Sequence, residues 1–265
     1  MATEELVSLT KTLSCYAPNA KEAQFMYKEI FEDHCYEIPN LLPEPSFSST
    51  ESPSSEPETR SPFIIDAGAN IGLFTLYMKQ KYRSSKILAF EPAPQLYELL
   101  CRNLALNNIP LAGGAADNNA KLTIYPTLPS NSTLKPKEKI HLHAEATKIY
   151  GQKLADHWFG GSYEVDVKLQ RLSEFLNNNS HVRSANTIDL LKIDVEGAEL
   201  DVLRGLDDHH WALVRNIVLE TMEKSCIRGE IEQLLKEKGF QITVEGVPWA
   251  PEKFYTIKAC REAFI

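Results

Sequence analysis

Three apolar runs in this chain end in an acid just before a segment patterned as a helix. Phe63-Ile64-Ile65 runs into Asp66, Lys86 to Phe90 into Glu91, and Ile188 to Ile193, apolar except for Asp189 and Lys192, into Asp194. The segments that follow, Leu73 to Lys81, Gln95 to Asn107 and about Gly197 to Leu206, carry apolar residues close to helical spacing. Strand followed by helix, repeated, leads to parallel pairing, because each crossover returns the chain to the same end of the sheet. Such sheets bind ligands at the carboxyl ends of their strands, and all three acids fall there. The run continues with Asn216 to Leu219 as a strand and Glu230 to Lys238 as a helix stopped by Gly239. Gln241 to Val247 and Phe254 to Lys258 read as closing strands that form a hairpin.

The first strand end reads Ile65-Asp66-Ala67-Gly68-Ala69-Asn70-Ile71-Gly72-Leu73-Phe74. Glycine in such a turn lets the backbone approach a ligand closely. A turn that binds a pyrophosphate needs glycine in the middle of GxGxxG; Asn70 stands there, which disfavours a dinucleotide. An acid at Asp66 suits instead a ligand with an ammonium group and no phosphate, such as S-adenosylmethionine. The plainer alternative is an ordinary strand-to-helix turn with an aspartate cap.

Glu91 lies 19 residues after Gly72. A carboxylate at that strand end can accept both ribose hydroxyls of an adenosine, or can simply complement the N-terminus of the helix beginning near Pro94. Asp117, after the expected third strand, either accepts from an adenine amino group or closes a turn before Asn118-Asn119. Asp194 ends a strand beside the first one, near the reacting end of such a cofactor. Glu196 and Glu199 open the next helix, where the dipole favours acids whatever their function.

Outside this alternation, Ala23, Phe25, Met26, Ile30 and Phe31 sit close to helical spacing and predict an N-terminal amphipathic helix within residues 19 to 37. The expected organisation is an N-terminal helical cap over 1–40, a Ser/Pro-rich linker or loop over 41–62, and a catalytic domain over 63–265. Residues 126 to 163 have weak periodicity and read as a polar lid or binding loop, with His141 and His143 able to swing over the site. The net charge of −8 argues against a phosphate-neutralising surface for nucleic acid or anionic lipid, and there is no (N/D)PP(Y/F) tetrapeptide of the kind used on nucleic-acid bases. Five cysteines without CxxC spacing suit reduced thiols. With no basic n-region followed by an apolar run, and no stretch near the ~18 apolar residues of a membrane span, a cytoplasmic protein is expected.

IDAGANIGLFTLY, AFEPAPQLYELLCRNLALNNI, AADNNAKLTIY and LLKIDVEGAELDVLRGL, with VKLQRLSEFL before the fourth strand, resemble in order and spacing the FkbM family of S-adenosylmethionine-dependent methyltransferases. The resemblance covers roughly residues 63 to 220; FEPAP and KIDVEGAELDVL are its most specific parts. It implies an α/β fold, a Rossmann-like seven-stranded methyltransferase sheet whose last strand is antiparallel. It also implies transfer to oxygen, commonly on hydroxyls of polyketide-type natural products or of sugars. By motif match it makes Asp66, Gly68, Asn70 and Gly72 the cofactor turn, Glu91 the ribose ligand and Asp117 the adenine contact, with Asp194 bordering the methyl-transfer site. Glu220-Thr221-Met222 departs from the family at a strand end where a histidine is expected nearby.

The function expected is therefore an S-adenosylmethionine-dependent O-methyltransferase acting on a hydroxyl of a small organic molecule, a secondary metabolite of the polyketide type. Asp194 and Glu196 are its expected catalytic groups, and no metal is assigned. The alternatives are a sugar-hydroxyl methyltransferase and a noncatalytic S-adenosylmethionine-binding scaffold or sensor, which would bind without turnover.

Overall fold

The computed structural model describes residues 4–39, 41, 61–109, 118–178, 187–222, 227–247 and 254–261. The chain opens with a short antiparallel hairpin, β1 (Glu5–Ser8) and β2 (Ser14–Ala17). Helix α1 (Ala20–Tyr27) follows, capped by the Asn19 side chain on Lys21 N–H and continued by a wider turn over Lys28–Glu32. The hairpin is an addition to the expected helix. Most of the expected linker, residues 42–60, lies outside the described residues.

The alternating region then delivers β3 (Phe63–Ala67), α2 (Leu73–Lys81), β4 (Lys86–Phe90) and α3 (Pro94–Leu106). β5 (Asn118–Ile124), α4 (Pro136–Tyr150), α5 (Gln152–Phe159) and β6 (Tyr163–Leu169) form an excursion in which β5 and β6 pair antiparallel. The remaining elements are α6 (Leu172–Asn178), β7 (Leu190–Ile193), α7 (Glu199–Arg204), α8 (Asp208–Trp211), β8 (Asn216–Met222), α9 (Ile227–Glu237), β9 (Gln241–Gly246) and β10 (Phe254–Cys260). No helix among the described residues is long and apolar enough to cross a membrane.

The main sheet has the order β4-β3-β7-β8-β10-β9. β4, β3, β7 and β8 run parallel, and β10, last in the chain, runs antiparallel between β8 and β9. The α/β methyltransferase sheet is thus present with its antiparallel last strand. Six strands are described in place of seven, because the stretch that was to hold the third strand, ending at Asp117, lies outside the described residues.

Alternate residues of each central strand feed opposite layers. Ile64 and Val218 pack into the layer with α2 and α3, while Phe63, Ile65, Ile217 and Leu219 pack into the layer with α6, α7 and α9. Burial on both faces is why these strands read as continuous apolar runs, and each such side chain contributes about 1.5–3 kcal/mol.

Residues 126–163 are not a polar loop. They hold the α4–α5 helix pair, broken at Gly151 (φ 86°). Their periodicity is weak because little of the pair is enclosed: of α4 only Lys139 and Ala146 are buried, and of α5 only Ala155.

Candidate functional site

The strand ends bring Gly68–Ile71, Glu91, Asp194, Glu196 and Glu220 to the wall of one cavity of about 1390 Å³, closed on the far side by α1, Tyr36 and the α4–α5 pair. Pockets that hold a single drug-sized ligand measure about 300–1,000 Å³. The cavity therefore has room for a cofactor and a second molecule.

The turn after β3 is built by the backbone. The N–H groups of Gly68 and Ala69 both donate to the Phe90 carbonyl at 2.9 Å, which fixes the end of β3 to the end of β4. Gly68 has φ 83°, and an added Cβ there would stand 1.7 Å from the Asp194 carbonyl oxygen; Gly72 has φ 92°, and its Cβ would stand 2.6 Å from Leu100 Cδ1. Gly68 lines the cavity, and what its missing Cβ spares is the protein's own backbone. Gly68 clears the approach of the β7 end and Gly72 the packing of α2 on α3, while Asn70 (φ 49°) presents the turn to the cavity.

Glu91 stands at the rim, its two oxygens accepting from Asn70 N–H (2.9 Å) and Ala93 N–H (2.8 Å). Burial pushes its carboxyl up to about 7 in spite of those two donors. Asp66 is placed differently from the expectation. It is fully buried, accepts from Thr75 Oγ1 at 2.9 Å, and pairs with Lys192 Nζ at 3.2 Å, so a cation already occupies the carboxylate meant for a ligand's ammonium. Lys192 also donates to the Gly68 carbonyl at 2.7 Å and lies 3.5 Å from Asp194. Burial opposes its charge, but Asp66 and Asp194 outweigh burial and hold the ammonium above its ordinary value. Asp117 lies outside the described residues.

Of the two acids expected to be catalytic, Asp194 is slightly the more exposed, 31% against 25% for Glu196, and both line the cavity. The Asp194 backbone N–H donates to the Ala67 carbonyl at 2.9 Å. Glu196, at φ 55°, is tied down: Lys139 Nζ, 2% exposed, lies 2.5 Å from its Oε2, and Thr133 Oγ1 donates to its carbonyl at 2.6 Å. Burial raises the Glu196 carboxyl, with Lys139 opposing. Glu199 ties down the loop before its helix, accepting from Gly197 N–H at 2.9 Å and Val195 N–H at 3.3 Å, and burial pushes it to about 7. The histidines do not swing over the site. His141 is exposed on α4, and His143 is held within the helix pair, 2.8 Å from Asp156 Oδ1.

Two functional groups escaped the sequence reading. Tyr36, past the end of the N-terminal helix, places its hydroxyl 3.0 Å from Asp194 Oδ2 and 3.4 Å from Glu220 Oε2. No local pattern marks it. Lys192 had a signal, a lone cation inside an otherwise apolar strand, which is found buried only when paired. The N-terminal segment that carries Tyr36 is itself stitched to the turn after β3. Buried Asn103 on α3 accepts from Tyr16 N–H (2.6 Å) and donates to the carbonyls of Tyr16 (3.0 Å) and Ile71 (2.8 Å).

Residues 66–242 match the Methyltransferase FkbM domain. The chain is similar to Methyltransferase sdnD of Sordaria araneosa, with 50% identity over 98% of each chain. It is similar also to Methyltransferase 1 of Beauveria bassiana, with 41% identity over 98% of this chain and 100% of that one. Similarity extends to the 31-O-demethyl-FK506 methyltransferase FkbM of Streptomyces tacrolimicus, at 29% identity over 92% of each chain. With a domain match over most of its length and relatives aligned from end to end, the chain belongs to the FkbM methyltransferase family.

Proposed function

We propose that this methyltransferase transfers the methyl group of S-adenosylmethionine to a neutral hydroxyl of a small organic molecule, a secondary metabolite of the polyketide type. The observation that carries the reading is the single cavity that joins the Gly68–Ile71 turn and Glu91 to the carboxylate of Asp194, with room left for an acceptor. The cofactor, when bound, supplies a methyl carbon made electrophilic by a sulfonium. The residues fit such a group. Carboxylates line the cavity from Glu91 to Asp194 and suit a cation, and Glu91 is placed to accept ribose hydroxyls. The name of the Streptomyces relative, a 31-O-demethyl-FK506 methyltransferase, supports oxygen as the atom methylated.

Chemistry at the acceptor falls to positioning and to Asp194. An acceptor oxygen held about 3–3.5 Å from the methyl carbon and shielded from water gains most of what an enzyme supplies to a displacement. Asp194 takes the hydroxyl proton as the O–C bond forms and the C–S pair leaves with sulfur, a contribution of about 10²- to 10⁴-fold. Glu22, Glu29 and Glu196 share this cavity wall. They repel an anionic acceptor and so favour an alcohol over a carboxylate.

The test is incubation with labelled S-adenosylmethionine and either extracts of the source organism or a panel of alcohols, carboxylates and amines, with products identified by mass spectrometry. Methyl ethers are the expected products. Methyl esters, N-methylated products, or binding without turnover on any acceptor would overturn the reading.

The same reading has a proton signature. With Glu91 near 7 in the free protein, ribose hydroxyls donating to it favour the ionised form, so binding at pH 7 releases up to about half a proton. Affinity for S-adenosylhomocysteine then rises from pH 6 to pH 8. Calorimetry in two buffers of different ionisation enthalpy measures the release. Glu91→Gln abolishes it and weakens binding; an unchanged proton count in that variant would remove Glu91 from the site.

A further inference from the structure

We propose that Tyr36 is a positioning residue that acts through Asp194: its hydroxyl holds one carboxylate oxygen and leaves the other to take the proton from the acceptor. This rests on the methyl-transfer reading above, in which Asp194 is the base. The phenol comes from the N-terminal segment and reaches the sheet across a sequence separation of 158 residues. The ring is buried, set edge-on against Phe74 with centroids 5.7 Å apart, and Lys192 Nζ lies 5.3 Å from its centre. The rotamer is thereby fixed from two sides, and the hydroxyl stays between Asp194 Oδ2 and Glu220 Oε2.

A phenol has one proton to donate, and Asp194 is the nearer acceptor. Burial, then Asp194 and Glu220, push the Tyr36 hydroxyl well above its ordinary value, so it remains a donor throughout the working range. Burial and the neighbouring acids Asp194 and Glu196 push Glu220 well above the usual carboxylate range. Glu220 Oε2, at 3.4 Å, is the farther acceptor of the same hydroxyl. Two acids flanking one hydroxyl are in this way made unequal, as two carboxylates sharing a site generally are. The other charged or titratable groups around this trio are Lys192 and Asp66 on the strands beneath, Glu196 in the loop after β7, and Glu29 and Cys35 from the N-terminal segment. Tyr36 is the neutral donor that fixes the Asp194 side chain.

Tyr36→Phe keeps the ring and removes only the hydroxyl. The expected result is a fall in kcat of about 10- to 100-fold, the loss of one hydrogen bond to a charged group. The acid limb of the pH–rate profile should move upward, and affinity for S-adenosylhomocysteine should stay within about two-fold. In an Asp194→Asn background the same change should cost nothing further, because residues that act as a unit are not additive. Tyr36→3-fluorotyrosine, a stronger donor of the same shape, should move the acid limb the opposite way. A pH profile that coincides with that of the unaltered enzyme, or losses that multiply with Asp194→Asn, would overturn the proposal. Carbon NMR titration of the Asp194 carboxyl in the unaltered protein and in Tyr36→Phe needs no turnover. If no hydroxyl is ever methylated the reading of the reaction fails, whereas identical titrations in the two proteins would dispose of the Tyr36 contact itself.

Discussion

Lys192→Met is expected to lower the unfolding free energy by about 3–5 kcal/mol, the usual result of stranding one member of a buried ion pair. Asp66 is fully buried beside it and ion-paired to it, with Thr75 Oγ1 as its hydrogen-bond donor, and Lys192 is 3% exposed. The substitution keeps the volume and the apolar stem, so a cavity contributes little and the unpaired carboxylate most of the loss. Lys192 also bridges to the Gly68 carbonyl, hence the turn after β3 should loosen with it. Urea denaturation gives the free energy, and the midpoint temperature should fall on the order of 10 °C. The double variant Asp66→Asn/Lys192→Met should recover a substantial part of the stability, since removing both charges takes away the desolvation cost along with the attraction. A single variant within about 0.5 kcal/mol of the unaltered protein would mean that the pair contributes nothing to the fold.

That pair shows where sequence legibility ended. Elements set by local pattern and punctuation were readable: α2 runs over Leu73–Lys81 and β4 over Lys86–Phe90 as expected, and β9 and β10 pair as a hairpin. The acid at the end of β3 was readable too, but its partner was not. Asp66 and Lys192 face each other because β3 and β7 align in parallel register, a contact between residues 126 positions apart that neither strand announces. A carboxylate placed by topology next to a buried ammonium becomes part of the core, whatever its motif suggests. The same limit hid Tyr36. The α4–α5 pair failed for another reason: with a lysine and two alanines as its buried residues, it has no apolar stripe to detect.

Asp194→Asn is expected to lower kcat by about 10²- to 10⁴-fold, the range supplied by a positioned base, while S-adenosylhomocysteine binds nearly as before. Asparagine keeps an oxygen for the Tyr36 hydroxyl, so the change removes the base and spares the frame. Glu196→Gln separates the two acids that the sequence left side by side. Glu196 is engaged with Lys139, which is 2% exposed, and its loss leaves a buried ammonium without its carboxylate. That variant should therefore lose stability, by about 3–5 kcal/mol at most, and keep most of its turnover per folded molecule. Single-turnover rates corrected for the folded fraction distinguish the two cases. A deep loss of rate in Glu196→Gln with unchanged stability, beside a mild effect in Asp194→Asn, would reverse the assignment. The physical ground for the expected order is the partner: Asp194 Oδ2 is held by a neutral phenol with Lys192 at 3.5 Å, whereas Glu196 Oε2 is paired with the Lys139 ammonium at 2.5 Å; their exposures, 31% and 25%, differ little.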